Sequence, residues 1–206
     1  MNRATVSVVP LLVKDVTALN ALTDVFVAAF TDDPGMGYLC QAERDGYPQR
    51  LRHWFRASLG LQIANQQPLF ALTCEGQYVA GVALTVPNTT LRAMSVTRWL
   101  GTTWRGAGWR SVWRTIHHLQ RLSNYQPTKP HFRLEFLAVN PSQQGKGYGR
   151  VLLEAIHHLA SPMDIWLETT NPTNVPLYKR FGYVVTHRVN MGPAVDAIMM
   201  VRGETA

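Results

Sequence analysis

The chain has few of the features that would set it apart from ordinary globular proteins. Its 206 residues include only two cysteines, Cys40 and Cys74, and these show neither a pairing pattern nor the spacing of metal ligands. The apolar stretch near the start is interrupted by Pro10 and Lys14, so it is too short for a signal peptide or a membrane span. We therefore expect one cytoplasmic domain, residues 1–206, that needs no disulfide, metal or membrane.

Acidic residues are also scarce, with 13 Asp and Glu against 20 Lys and Arg and a formal net charge of +7. Residues 88–133 contain no acid but hold eight of the bases and four of the six tryptophans. The whole excess of positive charge thus belongs to one segment, and we expect no nucleic-acid partner. The spacing of apolar residues in this segment predicts one or two amphipathic helices, with a break near residues 106–108. We call the segment, at about 88–130, the basic, Trp-rich insert.

The order of predicted elements indicates the fold class. A strand at 6–12 precedes helices at about 16–30 and 47–64, and a hairpin of two strands covers 69–86. After the insert come a strand (132–139), a helix (147–160), a strand (164–168), a short helix (175–181) and two strands ending at 202. This mixed order predicts an α/β domain with a central, partly antiparallel sheet.

A glycine-rich loop follows the strand at 132–139. Three glycines at alternate positions lead into a helix, with two cations close by; these are Gly145, Gly147, Gly149, Lys146 and Arg150. Glycine lets a ligand approach the main chain, and the first N–H groups of a helix have no partners within it. The loop therefore predicts a binding site for a pyrophosphate at a helix N-terminus.

The GxGxG spacing fits neither a Walker loop nor a dinucleotide-binding turn, which argues against NTPases and dehydrogenases. It resembles the Q/R-x-x-G-x-G/A signature of the GNAT superfamily of acyl-CoA N-acyltransferases, here Gln144, Gly147 and Gly149.

A second segment, at 171–185, resembles the superfamily element N-x-x-A-x-x-x-Y-x-x-x-G-F. Asn171, Tyr178 and Gly182 match it, whereas Asn174 replaces the usual Ala and Tyr183 the usual Phe. The character of this segment, together with FTDDP at 30–34, is similar to the antibiotic-acetylating branch that includes puromycin N-acetyltransferase.

The resemblance implies a three-layer GNAT fold with a mostly antiparallel, twisted sheet. A V-shaped splay between the strands ending at Val139 and Glu168 would seat the pantetheine arm. It also implies an acetyl-CoA-dependent N-acetyltransferase that acts directly on the primary amine of a small molecule, as a monomer or homodimer. A protein or peptide acetyltransferase is the alternative. A non-enzymatic module that binds nucleic acid or an anionic membrane is a more remote alternative. We expect no membrane partner.

The residues expected to bind coenzyme A belong to the two motifs and the strand before the first. They are Leu137, Ala138, Val139, Gln144, Gly145, Lys146, Gly147, Tyr148, Gly149, Arg150, Asn171 and Tyr178. Asn174 is expected to cap the short helix, since Pro176 suits a first turn.

Transfer to an amine requires that an ammonium group lose a proton, which costs about 4.6 kcal/mol at neutral pH, and that the thiolate be protonated. The resemblance makes Tyr178 the candidate acid; packing on the sheet or a hydrogen bond to the cofactor is the alternative for it. Glu135 is the candidate base, because a carboxylate in an apolar strand is costly unless it is paired or solvated; an ion pair with Arg133 or a histidine is the alternative for it. Glu168 is the rival base, and deprotonation through water is also open.

The acceptor is expected near the loop at 30–39, where Phe30, Asp32 and Asp33 together with Glu168 could hold a cationic amine. The insert has two explanations. Either Trp99, Trp104 and Trp113 pack its helices onto the domain while the arginines stay in water, or it forms a lid or wall of the acceptor site. His157 and His158, which have no third ligand at metal spacing, are expected on a solvated face.

Overall fold

The computed structural model describes residues 6–10 and 16–203. Its strands are β1 (Val6–Pro10), β2 (Leu69–Cys74), β3 (Gln77–Thr85), β4 (His131–Val139), β5 (Asp164–Thr169), β6 (Val184–Gly192) and β7 (Val195–Arg202). Its helices are α1 (Val16–Phe30), α2 (Pro34–Cys40), α3 (Tyr47–Ala64), α4 (Ala93–Ala107), α5 (Trp109–Leu122), α6 (Tyr148–Ala160) and α7 (Val175–Arg180). Among the described residues, no helix combines the length and the apolar character that a membrane span requires.

The seven strands form one mixed sheet in the order β1-β2-β3-β4-β5-β7-β6. Every neighbouring pair of strands is antiparallel except β4 and β5. These two are parallel because α6, which connects them, carries the chain back to the end of the sheet at which β4 began. The predicted α/β class with a mostly antiparallel sheet is therefore confirmed. The predicted end of the first strand at residues 11–12 lies outside the described residues.

Two apolar clusters pack on opposite faces of the sheet and produce three layers. One joins α1 and α3 to the sheet, for example through Phe26 and Phe55 against Ala83. The other joins α6 to the opposite face through Leu152 and Ile156. Fully burying each of these large side chains contributes about 1.5–3 kcal/mol, so the alternation of apolar residues along the strands determines which helices cover which face.

The strands β4 and β5 separate along their length. Their register runs from His131 opposite Asp164 to Leu134 opposite Leu167 and ends there, although both strands continue. The backbone of residues 135–139 consequently presents alternating N–H and C=O groups to the gap between the strands. This is the V-shaped splay that the family resemblance implied.

A bulge in β4 changes which side chains share a face. The partners of Ala83 and Leu84 on β3 are Phe136 and Leu134, so Glu135 is the extra residue. Leu134 and Leu137 accordingly pack in the same cluster, and Phe136 packs in the other. The bulge therefore breaks the simple alternation of faces along β4.

The insert forms two helices, α4 and α5, that meet at Gly108, as its sequence predicted. The buried face of α5 is polar and consists of Ser111, Thr115 and His118 above Leu122. Gln41 donates to Oγ of Ser111 at 3.1 Å, and Nε1 of Trp54 donates to Oγ1 of Thr115 at 3.0 Å. Hydrogen bonds to the C-cap residue of α2 and to α3 thus replace the apolar packing expected for this helix.

The tryptophans of the insert divide between core and surface. Trp99 is buried and donates to Oγ of Ser58 at 3.1 Å. Trp104, Trp109 and Trp113 remain 65%, 62% and 55% exposed. The expectation that Trp104 and Trp113 pack onto the domain is therefore wrong. Nor does every arginine stay in water, since the guanidinium of Arg114 donates to the carbonyl of Tyr38 and lies 4.5 Å from the centre of its ring.

Candidate active site

The glycine loop has the backbone shape that its sequence predicted. Gly145 and Gly147 have φ of 79° and 83°, in the left-handed region that favours glycine, and Gly147 is the N-cap of α6. A Cβ at Gly147 would meet no protein atom within 4 Å. The space in front of the helix N-terminus is therefore open to a ligand.

The side chains around this loop differ in what they can offer. Tyr148 is buried, with its hydroxyl 3.4 Å from Sγ of Cys74, so only its backbone faces the loop. Lys146 is exposed and donates to Gln143 at 2.7 Å, and Arg150 pairs with Glu154, also at 2.7 Å. Both cations can exchange these exposed partners for an anion at little cost. The exposed Gln144 is within 3.5 Å of the Val139 carbonyl.

A cavity of about 90 Å³ lies in the splay, and we call it the splay cavity. It brings together six of the residues that the sequence singled out, from four separate segments: Phe30, Asp33, Glu135, Leu137, Glu168 and Tyr178. This convergence places three carboxylates and a phenol at the unpaired edge of β4. Ala138 belongs to the opposite face of β4 from Leu137 and Val139, so its contribution is limited to its backbone.

Tyr178 is buried in α7 and borders the splay cavity. Burial, and secondarily the charge of Asp33, raises the pKa of Tyr178 to about 12. None of the described residues accepts a hydrogen bond from its hydroxyl. The phenol therefore keeps its proton at neutral pH and can give it to a group that enters the cavity.

The turn before α7 is stabilised by Asn171 rather than by Asn174. Oδ1 of Asn171 accepts from the N–H of Thr173 at 3.0 Å and from its hydroxyl at 2.7 Å. Asn174 precedes the helix but its side chain bonds to Oγ1 of Thr169 at 3.4 Å and makes no capping bond. The predicted capping role of Asn174 is therefore wrong, because a 3-10 turn begins at Pro172 and moves the cap to Asn171.

The carboxylate of Glu135 has two protein partners. The hydroxyl of Thr85 donates to Oε1 at 2.7 Å, and Nε of Arg133 lies 3.2 Å from Oε2. The N–H at Nε is not directed at the carboxylate, so this second contact is an ion pair without hydrogen-bond geometry. The ion pair with Arg133 that the sequence left open for Glu135 is thus present.

The carboxylate of Glu168 meets a histidine that sequence reasoning missed. Nε2 of His118, on α5, lies 2.9 Å from Oε1 and 3.1 Å from Oε2 of Glu168. Because an ionised carboxylate only accepts, Nε2 carries the proton. His118 belongs to the polar stripe of an amphipathic helix, and nothing in the sequence pattern predicted its contact with a residue at the end of β5.

A second, larger cavity of about 720 Å³ adjoins the first, and we call it the insert cavity. Helices α3, α4 and α5 and the loop at 126–130 form its walls, and the residues that it shares with the splay cavity are Met36, Leu39, Glu135, Phe136 and Glu168. The insert therefore lines a space that opens toward the two carboxylates, as the wall hypothesis required.

The two aspartates that follow α1 lie in different environments. Asp33 caps α2, accepting from Met36 N at 2.9 Å and from the Thr170 hydroxyl at 2.9 Å. Burial is the main reason that its pKa lies above its usual value. Asp32 is exposed and borders a separate surface cleft with Arg114. The stretch at 30–39 is mostly the helix α2 and not a loop, since the Asp33 cap and Pro34 start a helix there.

Comparison with known proteins identifies the class of the fold. Residues 111–185 match the family model of the acetyltransferase (GNAT) domain. This segment, which contains both motifs, is thus similar to the acetyltransferase (GNAT) domain, whose acyl donor is acetyl-CoA. The fold that the motifs implied is confirmed.

Solved structures with this fold align over nearly the whole chain. One from Corynebacterium glutamicum, named histone acetyltransferase HPA2 and related acetyltransferase, has a TM-score of 0.69 at 20% identity and covers 97% of this chain and 96% of its own. Polyamine N-acetyltransferase of Drosophila melanogaster has a TM-score of 0.60 at 14% identity, covering 97% and 100%. PaiA N-acetyltransferase of Thermoplasma acidophilum, in complex with coenzyme A, has a TM-score of 0.57 at 11% identity, covering 97% and 99%. At these identities the likeness concerns the fold.

Proposed function

We propose that this protein is an N-acetyltransferase that moves an acetyl group from acetyl-CoA directly to the primary amine of a small molecule. The observation that carries the proposal is the convergence of Tyr178, Glu135 and Glu168 on one cavity at the unpaired edge of β4. Direct transfer needs an acid and a proton acceptor on either side of the thioester, and the cavity offers both.

The cofactor would lie along the splay. The pyrophosphate would bind the free N–H groups at the start of α6, helped by Lys146 and Arg150, and Gly145 and Gly147 leave room for it. The pantetheine arm would pair with the open backbone edge at 135–139, and Asn171 would contact it beyond the end of β5. The thioester would then reach Tyr178, which would protonate the leaving thiolate.

The acceptor would enter through the insert cavity, where Glu135 and Glu168 border both spaces and either could receive the proton of the amine. An enclosure by three helices favours a small molecule, including the antibiotic-like amines suggested by the resemblance.

A protein acceptor is the second candidate, favoured by the histone acetyltransferase name of the Corynebacterium structure. Several expectations remain predictions. These are the cytoplasmic location, the single domain, the monomeric or homodimeric state, and the lack of nucleic-acid and membrane partners.

The proposal is tested by acetyl-CoA binding and turnover. Calorimetry should detect saturable acetyl-CoA binding, and a thiol-release screen should find turnover with at least one amine among puromycin, arylalkylamines and polyamines. No heat of binding at millimolar acetyl-CoA would contradict the proposal. Turnover with a histone or N-terminal peptide but with no small amine would establish the second candidate instead.

A further inference from the structure

The insert cavity has a charged end, and apolar side chains predominate in the rest of its lining. The charged end is at the splay, where it contains Thr85, Arg133, Glu135, His118 and Glu168. The walls leading away from it are largely apolar or aromatic, among them Trp54, Trp99, Leu100, Ile116, Leu119 and Pro130. A cavity of about 720 Å³ lies in the size range of sites for whole organic molecules rather than for a single methylammonium group.

The two carboxylates at the charged end have different neighbours. Glu135 faces the guanidinium of Arg133, which already balances its charge. Glu168 faces His118, and none of the described arginines or lysines forms an ion pair with it. Its side chain is 23% exposed, whereas that of His118 is 7% exposed. Both residues border the insert cavity, and Glu168 is the more accessible of the two to a ligand there.

We infer that the insert cavity binds a primary amine carried on a bulky apolar body, with the nitrogen against Glu168, and that His118 is the positioning residue that holds Glu168 for this purpose. The inference rests on the proposed acetyl transfer and names its substrate class. The insert would thereby supply both the shape that selects the acceptor and the side chain that orients the proton acceptor.

The proton transfers balance as follows. The ammonium group of the acceptor gives one proton to Glu168, and its nitrogen forms a bond to the carbonyl carbon of the thioester. The carbon–sulfur bond breaks, and the sulfur takes the proton of the Tyr178 hydroxyl. The nitrogen loses a second proton, which returns through solvent to Tyr178, and the proton on Glu168 leaves through the insert cavity. The products are the amide, the thiol and one proton.

The groups that face Glu168 come from several elements. They are His118 on α5, Arg133 and Glu135 on β4, Asp33 before α2 and Tyr178 on α7, with His131 and Lys129 farther along the insert cavity. A pH profile must therefore be read as that of a coupled set, and only its change on substitution of His118 is diagnostic.

An amine series tests the substrate class. With saturating acetyl-CoA, kcat/KM for 2-phenylethylamine should exceed that for propylamine by at least about fiftyfold, since each buried methylene contributes about fourfold. Spermidine should be no better than propylamine, because its other charges would have to enter apolar walls. Equal values across the series, or a preference for spermidine or a peptide, would overturn the inference while leaving the proposed acetyl transfer intact.

Filling the cavity gives a matched test. Leu119→Trp should lower kcat/KM for 2-phenylethylamine at least about tenfold and for propylamine by less than about twofold. Leu159, on α6, is similarly exposed, and Leu159→Trp should change neither value. A loss of the same size for both amines in Leu119→Trp would contradict the assignment of the cavity to the apolar body.

The role of His118 is tested by three variants. His118→Leu should lower kcat for 2-phenylethylamine about a hundredfold and shift the acidic limb of the kcat/KM profile, whereas His118→Gln, which can still donate to Glu168, should recover most of kcat. His117→Gln, on the exposed side of the same helix, is the control. Calorimetric acetyl-CoA binding verifies folding in each variant. An unchanged profile in His118→Leu would remove the role of His118, and no transfer to any amine by the unsubstituted protein would overturn both proposals.

Discussion

The hydroxyl of Thr85, on β3, donates a hydrogen bond of 2.7 Å to Oε1 of Glu135, the extra residue at the bulge of β4. With Arg133 on its other oxygen, the carboxylate of Glu135 is held in place by two side chains. The candidate base that the sequence singled out is thus also part of the structure of the sheet, and its replacement has consequences for stability.

Glu135→Gln should lower the free energy of unfolding by about 1–3 kcal/mol, because it leaves the half-buried guanidinium of Arg133 without a counter-charge. Urea unfolding of Glu135→Gln, Arg133→Met and the double variant measures this coupling. The double variant should lose less stability than the sum of the single ones. Strict additivity would show that the ion pair contributes nothing.

Tyr178→Phe should lower kcat about a hundredfold and change the dissociation constant of acetyl-CoA by less than about threefold, since only the proton donor is removed. Because the pKa of Tyr178 is about 12, ionisation of this phenol should cause no loss of kcat below about pH 10. Tyr125→Phe, which packs near His187 and borders neither cavity, is the matched control. Unchanged turnover in Tyr178→Phe would refute the assignment of the acid.

Gly147→Ala should destabilise the fold by about 1–2 kcal/mol, since its φ of 83° is costly for a residue with a Cβ. It should also weaken acetyl-CoA binding at least about tenfold, because the Cβ would occupy the space in front of α6. Gly76→Ala, in the β2–β3 turn with φ of 77°, carries the same backbone cost far from the loop. Calorimetry should find weaker binding in the first variant alone; equal binding in both would place the pyrophosphate elsewhere.

The stability of the fold should decrease in mild acid because of His157. Burial, and secondarily the charge of Arg202, lowers the pKa of His157 from 6.5 to about 4, and its Nε2 lies 3.1 Å from the Tyr183 hydroxyl. The unfolded chain therefore takes up a proton near pH 6.5 that the folded protein refuses until about pH 4. Stability contributed by the neutral ring is complete above pH 6.5 and is lost progressively as the pH falls to about 4.

We expect this loss to be about 1–2 kcal/mol, after allowance for the solvent exposure of the ring. Urea unfolding at pH 7.5 and pH 5 measures it, and His157→Gln should reduce the difference between the two pH values. His158→Gln, on the exposed side of α6, should leave the difference as it is. The expectation that both histidines lie on a solvated face is thus correct for His158 and wrong for His157.

Sequence patterns predicted the parts of the fold that depend on local periodicity. The bounds of α3 were predicted to the residue, and the break between α4 and α5 at Gly108 followed from its glycines. The bulge at Glu135 and the cap at Asn171 were not predictable, because both depend on how neighbouring segments meet. The helix α2 was missed because seven residues are too few for a periodic signal.

The sequence alone predicted the donor site of this protein, because a phosphate site made of glycine backbone and a helix N-terminus is local and its spacing can be read directly. Only the tertiary structure showed which residues line the candidate acceptor site. The contact between His118 and Glu168 joins residues 50 positions apart, and α5 buries its polar stripe rather than its tryptophans. The physical reason is that hydrogen bonds to Gln41, Trp54 and Glu168 satisfy that stripe, and these partners come together only when the sheet and three helices are assembled.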